Sequence, residues 1–216
     1  MSSITLYGAT GTIGSRILDE ALRRGHTVTA VVRDPARMTT RDPSPTVVTG
    51  DVLDPASVAE HARAADVVVS AVGGGDGPGH QALIEPSFEA LVAGLRTLGS
   101  DAPRLITVGG AGSLRTADGS RVWDAEGLPE FVLQIMHAHG DALDFLRTVD
   151  DVRWTNLSPA ATIAPGERTG TYRVGLEDLI TDADGKSRIS TEDYAVALVD
   201  EIERARHIGE RFTVAY

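Results

Sequence analysis

The sequence contains no cysteine. This absence excludes disulfide bonds, thiolate nucleophiles and cysteine-ligated metal centres. Lysine is almost as scarce, because Lys186 is the only one and the other basic side chains are arginines. The formal net charge is −11. The long-range field of such a protein repels polyanions, so we expect neither nucleic acid nor an anionic membrane surface as a partner.

Long apolar runs are missing as well. No segment approaches the length of a membrane span, and the N-terminus lacks the charged-then-apolar pattern of a secretion signal. We therefore expect a cytoplasmic protein. A chain of 216 residues suits one domain with a large core, and no linker or low-complexity tract divides it.

A glycine-rich turn near the N-terminus organises the chain. It holds Gly8, Gly11 and Gly14 in the spacing G-x-x-G-x-x-G, after a β-type run and before an apolar pattern of helical spacing. Glycines let the backbone approach a pyrophosphate closely, and a helix N-terminus offers free N–H groups and the positive end of its dipole. Strand, turn and helix in this order predict a dinucleotide site.

Strands alternate with helices through the first half of the chain. The predicted strands are 4–7, 27–32, 46–49, 66–72 and 104–108, and the predicted helices include 55–63 and 81–98. This alternation predicts an α/β fold with a doubly wound parallel sheet, a single Rossmann domain over residues 1–216. Ligands of such sheets bind outside the carboxyl ends of the strands.

The second half is less regular. We predict a helix from Pro129, a strand over 152–157, a helix ending near Arg206 and a final strand over 211–216. Two short strands, 169–174 and 187–189, are expected around a turn at Asp184 and Gly185. The loops on the substrate side should lie mainly in 109–127 and 158–190.

Several stretches resemble a known family. The glycine turn with Val32-Arg33-Asp34-Pro35 resembles the atypical short-chain dehydrogenases/reductases, within their NAD(P)H-binding, NmrA-like branch. Residues 154–160, 165–170 and 189–195 make the chain similar to the small NADH-flavin reductase group, which is related to biliverdin reductase B. The resemblance spans nearly the whole chain, and it implies a Rossmann fold and nicotinamide binding more directly than any one activity.

The predicted cofactor contacts follow the order of the strand ends. They are Gly8, Thr10, Gly11, Thr12, Ile13 and Gly14 at the pyrophosphate, Asp51 and Val52 at the adenine, Ala71, Val72 and Gly73 at the ribose, and Ser158, Pro159 and Ala160 near the nicotinamide.

Arg33 indicates which nicotinamide cofactor is preferred. NAD sites usually carry an acidic residue at the end of the second strand, whereas an arginine there receives a 2′-phosphate. The position holds Arg33, with Arg37 one helical turn further on, and the neighbouring Asp34 suits a helix cap. We therefore expect NADP(H) to be favoured over NAD(H).

A catalytic motif of ordinary short-chain dehydrogenases is absent. No tyrosine is followed four residues later by lysine, because Tyr172 and Tyr194 both have leucine at that distance. Alcohol dehydrogenation and sugar epimerisation are therefore disfavoured. Hydride transfer to a flavin or a similar planar acceptor depends less on this motif, since the cofactors carry the chemistry and water can supply the proton. Flavin would then be a substrate rather than a tightly bound cofactor.

Two other functions remain open. A cofactor-sensing regulator without turnover, like other NmrA-like proteins, would also keep the dinucleotide site and need no catalytic acid. A quinone reductase would use the same pocket.

Two side chains are candidate catalytic residues: His139 as a proton donor or substrate contact, and Ser113 as a hydrogen-bonding partner of the substrate or as a cap of its loop. His139 lies at the margin of the apolar stripe of its predicted helix and can face the pocket, whereas Ser113 follows the fifth strand. His137 and His139 project in nearly opposite directions from one helix, so they cannot share a metal ion, and we expect no metal.

Overall fold

The computed structural model describes the whole chain, Met1–Tyr216. Its main sheet has eight strands, namely β1 (Ser3–Tyr7), β2 (Thr27–Val32), β3 (Thr46–Thr49), β4 (Val67–Ser70), β5 (Arg104–Val108), β6 (Trp154–Ser158), β8 (Arg173–Gly175) and β10 (Glu210–Ala215). Their order in the sheet is β3-β2-β1-β4-β5-β6-β10-β8. A separate pair consists of β7 (Thr162–Ala164) and β9 (Arg188–Ser190).

Five α-helices cover the main sheet, namely α1 (Thr12–Arg23), α2 (Pro55–Ala62), α3 (Gly77–Arg96), α4 (Glu130–Arg147) and α5 (Thr191–Arg204). Helices α1 and α5 pack together on one face, whereas α3 lies between α2 and α4 on the other. Only β8 runs antiparallel to its neighbour. The predicted doubly wound parallel sheet is confirmed.

The two faces of the sheet bury separate apolar clusters. Strand β4 reads Val-Val-Val-Ser and is buried along its whole length, which is typical of a central parallel strand covered on both sides. Alternate residues of β4 belong to different clusters. Val67 and Val69 pack in the cluster of α1 and α5, whereas Val68 packs in the cluster of α2, α3 and α4. None of the helices combines the length and the apolar character that a membrane span requires.

Aspartate caps fix where helices begin after the strands. Asp34 accepts the Ala36 N–H at 3.0 Å and Asp54 accepts the Ala56 N–H at 2.9 Å, as the cap-then-proline pattern predicts. A third cap was not predicted. Asp76 accepts the Gly79 N–H at 2.6 Å, so α3 begins at Gly77 rather than near Gln81.

The short strands of the second half differ from the prediction. The strand expected over 169–174 is β8, at Arg173–Gly175, and it pairs with β10. The other, β9, pairs in parallel with β7, which was not predicted. A tight turn does form, since the Gly185 N–H bonds the Asp182 carbonyl. However, the strands on either side of it join different sheets, because local turn chemistry does not decide which open edge a strand meets.

Candidate functional site

A cleft of about 540 Å³ opens at the carboxyl ends of β1, β2, β3 and β4. Strands β2 and β4 flank β1, so the strand order reverses there, and a doubly wound sheet binds its ligand at such a point. The cleft brings together many of the residues that the sequence predicted, namely Gly8, Thr10, Gly11, Arg33, Asp51, Val52, Ala71, Val72 and Gly73.

The glycine turn is packed so tightly that two of its glycines are obligatory. Gly8 has a φ of +82°, and a Cβ built on it would lie 2.3 Å from the Ala71 carbonyl oxygen. A Cβ on Gly14 would lie 2.1 Å from the Gly8 carbonyl oxygen. Gly8 therefore allows the turn and the contact with the end of β4, and Gly14 lets α1 approach the turn closely.

Gly11 differs from the other two, because its missing side chain faces open space. A Cβ there would have only the Gly8 carbonyl oxygen within reach, at 3.4 Å. The backbone N–H groups of Thr12, Ile13 and Gly14, in the first turn of α1, have no acceptor within the chain. Open space beside unpaired N–H groups at the positive end of a helix suits a pyrophosphate.

Arg33 and Arg37 line the far side of the cleft. Both side chains are exposed, and neither guanidinium has a hydrogen bond or a carboxylate partner. Most other arginines of this acidic protein are held in ion pairs, for example Arg24 with Glu20 and Asp200. Two unpaired guanidiniums at the end of β2 can receive a phosphate through charge-assisted hydrogen bonds. Asp34, between them, is occupied by its helix cap.

Tyr7 is a site residue that sequence reasoning missed. Its hydroxyl is buried without a hydrogen-bond partner, although the residue lines the cleft. Burial and the negative charge of Asp51 raise the pKa of Tyr7 above its usual range. Asp51 itself accepts the Leu53 N–H at 3.0 Å, which holds the loop after β3 in place. Because buried polar groups are nearly always paired, this unpaired hydroxyl beside the cleft marks Tyr7 as a candidate contact for a polar ligand group.

Two imidazoles lie beyond the β4 end of the cleft. His80, in the first turn of α3, has its Nε2 atom 3.5 Å from the position of a Cβ on Gly73. His139, on α4, packs against Gly110, where a Cβ would lie 2.8 Å from the His139 Cβ. The ring centroids of His80 and His139 are 5.7 Å apart.

The environment of His139 keeps its imidazole neutral. Its Nδ1 atom is buried and has no hydrogen-bond partner. Burial, with a smaller effect from His80, lowers the pKa of His139 from 6.5 to about 4. The His139 imidazole is therefore neutral at physiological pH, whereas His137 is exposed and stacks on Trp123.

Ser113 is placed differently from His139. Its hydroxyl is buried and accepts a hydrogen bond from the Arg211 guanidinium at 2.7 Å, and Arg211 also bonds Glu177. The Ser113 carbonyl accepts a hydrogen bond from Arg121 at 2.5 Å. These contacts engage Ser113 in holding the loop after β5, and they leave its hydroxyl turned toward Arg211.

The same loop, residues 111–127, is anchored by Trp123. The indole fills a notch in which a Cβ on Gly112 would lie 3.0 Å, and one on Gly140 2.7 Å, from its ring atoms. Trp154, in contrast, is buried in the core and donates to the Val149 carbonyl at 3.1 Å. Trp123 therefore acts as the attachment of the loop to α4.

Ser158 is the last residue of β6, Pro159 and Ala160 follow it, and all three are buried. They lie beside the end of β5, because the Gly109 N–H bonds the Leu157 carbonyl at 2.8 Å. The Ser158 hydroxyl has no partner. The three residues are not part of the cleft wall, and they continue the carboxyl edge past β5.

A larger cavity, of about 810 Å³, lies over β7, β9 and Tyr216. Its wall includes the loop 165–173, whose Arg168 bonds Glu20 in the C-terminal half of α1. That end of α1 is the one away from the glycine turn. Part of the range expected to face the substrate therefore packs on the α1–α5 side. This cavity has no glycine turn between a strand and a helix. The one helix N-terminus in its wall is that of α5, where the Ser190 hydroxyl already accepts the Asp193 N–H at 2.9 Å, so we assign the dinucleotide to the smaller cleft.

The fold and the cleft together define a nucleotide-binding protein of the Rossmann class. The open face of Gly11, the unpaired N–H groups of α1, and Arg33 and Arg37 fit an anionic dinucleotide. The NAD(P)H-binding family model matches residues 8–205, and the chain belongs to this family. It therefore binds a nicotinamide cofactor.

Three solved structures resemble the whole chain. A "putative exported protein" from Burkholderia pseudomallei is 45% identical, with a TM-score of 0.88 and full coverage of both chains. A "putative epimerase" from Bacteroides thetaiotaomicron is 40% identical, with a TM-score of 0.88, over 99% of this chain and 96% of the other. A "putative NADH-flavin reductase" from Streptococcus pneumoniae is 32% identical, with a TM-score of 0.86, over 100% and 99%.

The open face of Gly11 generates a first prediction. We expect Gly11→Val to abolish dinucleotide binding and to leave the fold intact, because the branched side chain would fill the pyrophosphate space without meeting the protein. Calorimetric titration with NADPH measures the affinity, and circular dichroism measures folding. Gly14→Val is the contrasting variant, since its side chain would collide with the Gly8 carbonyl and disrupt the fold. Unchanged NADPH affinity in folded Gly11→Val would remove the pyrophosphate from this turn.

Proposed function

We propose that this protein is an NADPH-dependent reductase that delivers hydride to a flavin or a similar planar acceptor. The observation that carries the proposal is a cleft with a glycine turn and two free arginines, beyond whose Gly73 edge lie two imidazoles, His80 and His139, in a chain without the Tyr-x-x-x-Lys pair. The Streptococcus relative, whose name contains NADH-flavin reductase, supports this class of reaction.

The cofactor contacts of the proposal follow the cleft from β2 to β6. Arg33 and Arg37 would hold the 2′-phosphate, and Asp51, Val52 and Tyr7 the adenosine half. The glycine turn, Gly8–Gly14, would hold the pyrophosphate. The carboxyl edge from Gly73 and Gly110 to Ser158, Pro159 and Ala160 would hold the nicotinamide half.

The reaction needs little acid–base chemistry from the side chains of the protein. When bound, the nicotinamide supplies a hydride, and the acceptor takes up that hydride and one proton, so that NADPH is oxidised and the acceptor is reduced by two electrons. The protein has to align the two rings and keep water from between them. His139 is neutral and therefore a weak acid, so we propose that it contacts the acceptor while water supplies the proton. In this proposal Ser113 keeps the loop after β5 in position.

The acceptor and the location of the protein belong to the same proposal. A quinone reductase would use the same edge of the sheet, and a cofactor sensor would use the same cleft without turnover. The cytoplasmic location stays a prediction from the sequence, and the Burkholderia relative carries the word exported in its name.

The unpaired arginines generate a prediction on cofactor choice. We expect Arg33→Ala to weaken NADPH binding by about 1.5–3 kcal/mol, the value of a hydrogen bond to a charged group, and to leave NADH binding nearly unchanged. The matched control is Arg63→Ala, which removes an exposed arginine outside the cleft. Calorimetry with both cofactors measures the effect. An equal loss for both would show that Arg33 does not receive the 2′-phosphate.

Hydride transfer itself is tested by single-turnover kinetics. NADPH is mixed with the protein and with riboflavin or a quinone, and the nicotinamide absorbance is followed. We expect acceptor-dependent oxidation that slows when C4 of NADPH carries deuterium. His139→Ala should lower this rate by at most about 10²-fold, the low end of general acid–base catalysis, since water can supply the proton. Tight NADPH binding without oxidation by any flavin or quinone would refute the reductase and favour the sensor.

A further inference from the structure

The two imidazoles beyond the β4 end of the cleft present different hydrogen-bonding groups. Both His80 and His139 are half-buried. Each has one nitrogen that the protein fixes or buries and one Nε2 atom that is neither buried nor bonded within the chain.

The tautomer of His80 follows from its backbone contact. Its Nδ1 atom lies 2.7 Å from the Asp76 carbonyl oxygen. A carbonyl oxygen can only accept, so Nδ1 carries a proton, and in the tautomer with this single proton Nε2 is an acceptor. This atom lies beside Gly73, which lines the cleft.

The tautomer of His139 is the opposite one. Its buried Nδ1 has no partner of either kind. A proton on Nδ1 would create a buried N–H without an acceptor, which is the costlier kind of unsatisfied group and is rare in proteins. The proton therefore sits on Nε2, and this accessible atom is a donor.

We propose that His80 and His139 recognise an acceptor that carries a ring N–H next to a carbonyl, as in a lactam or cyclic imide. The N–H of the acceptor would donate to Nε2 of His80, and its carbonyl would accept from Nε2–H of His139. The pyrimidine half of the flavin ring has such an edge, whereas a simple quinone has carbonyls alone and would leave His80 unpaired. The inference rests on the proposed function and selects flavin-like acceptors within it.

The test compares riboflavin with 3-methylriboflavin. In the second compound a methyl group replaces the hydrogen on the ring nitrogen that is remote from the atom that receives hydride. Quenching of flavin fluorescence gives the affinity of each for the protein saturated with NADP⁺, where no hydride is available. We expect the wild type to bind 3-methylriboflavin about tenfold more weakly, because methylation removes one hydrogen bond and leaves His80 unpaired.

The variant His80→Ala should bind the two flavins with nearly equal affinity, because the discriminating group is gone. The matched control is Gln81→Ala, the next and fully exposed side chain, which should keep the tenfold preference. Equal affinities in the wild type, or a preference that persists in His80→Ala, would overturn the inference. So would a His80→Ala variant that loses affinity for NADPH while keeping the preference between flavins.

Turnover separates this inference from the proposed function. If the wild type oxidises NADPH equally well with both flavins, the proposed reductase function is supported and the recognition of an imide edge is refuted. The same conclusion follows if a quinone oxidises NADPH and neither flavin does. If no acceptor oxidises NADPH, the proposed function fails, and the inference fails with it.

Discussion

The structure depends on a close backbone contact between the glycine turn and its neighbours. Gly8 takes a left-handed conformation and lies against the Ala71 carbonyl, while Gly14 brings α1 against the Gly8 carbonyl. This contact fixes the first turn of α1 directly over the reversal of strand order between β2 and β4. Because Gly8 and Gly14 are packed closely against backbone atoms, only the middle glycine, Gly11, leaves space for a ligand. The open space beside this position, which has no side chain, therefore suits a ligand.

Charge and hydrogen bonding divide the cleft along its length. At the β2 end, two arginines stay free in a protein whose other arginines are mostly paired, which gives an acidic surface one local attraction for a phosphate. Beyond the β4 end lie two imidazoles: the Asp76 carbonyl holds Nδ1 of His80, and burial lowers the pKa of His139. The polarity of the cleft therefore matches a dinucleotide with its phosphates at one end and its reactive ring at the other.

The sequence predicted those parts of the site that depend on local chemistry. The glycine turn, the caps Asp34 and Asp54, and Arg33 lie where short-range patterns put them, because strand, turn and cap residues act over a few positions. Tyr7 and His80 were not predicted as site residues, because their places depend on long-range contacts. Tyr7 lies near the end of β3, and His80 lies near α4. The engagement of Ser113 by Arg211 was equally invisible, because almost a hundred positions separate them in the chain. The pairing of β9 with β7 was not predicted for the same reason.

Hydrogen–deuterium exchange with and without NADPH tests the central claim that the dinucleotide binds over the glycine turn. The N–H groups of Thr12, Ile13 and Gly14 have no acceptor in the chain, so NADPH should slow exchange in peptides covering 8–14 and 33–37. Peptides covering 162–173, at the larger cavity, should be unchanged. Protection confined to 162–173, with none at 8–14, would contradict the account.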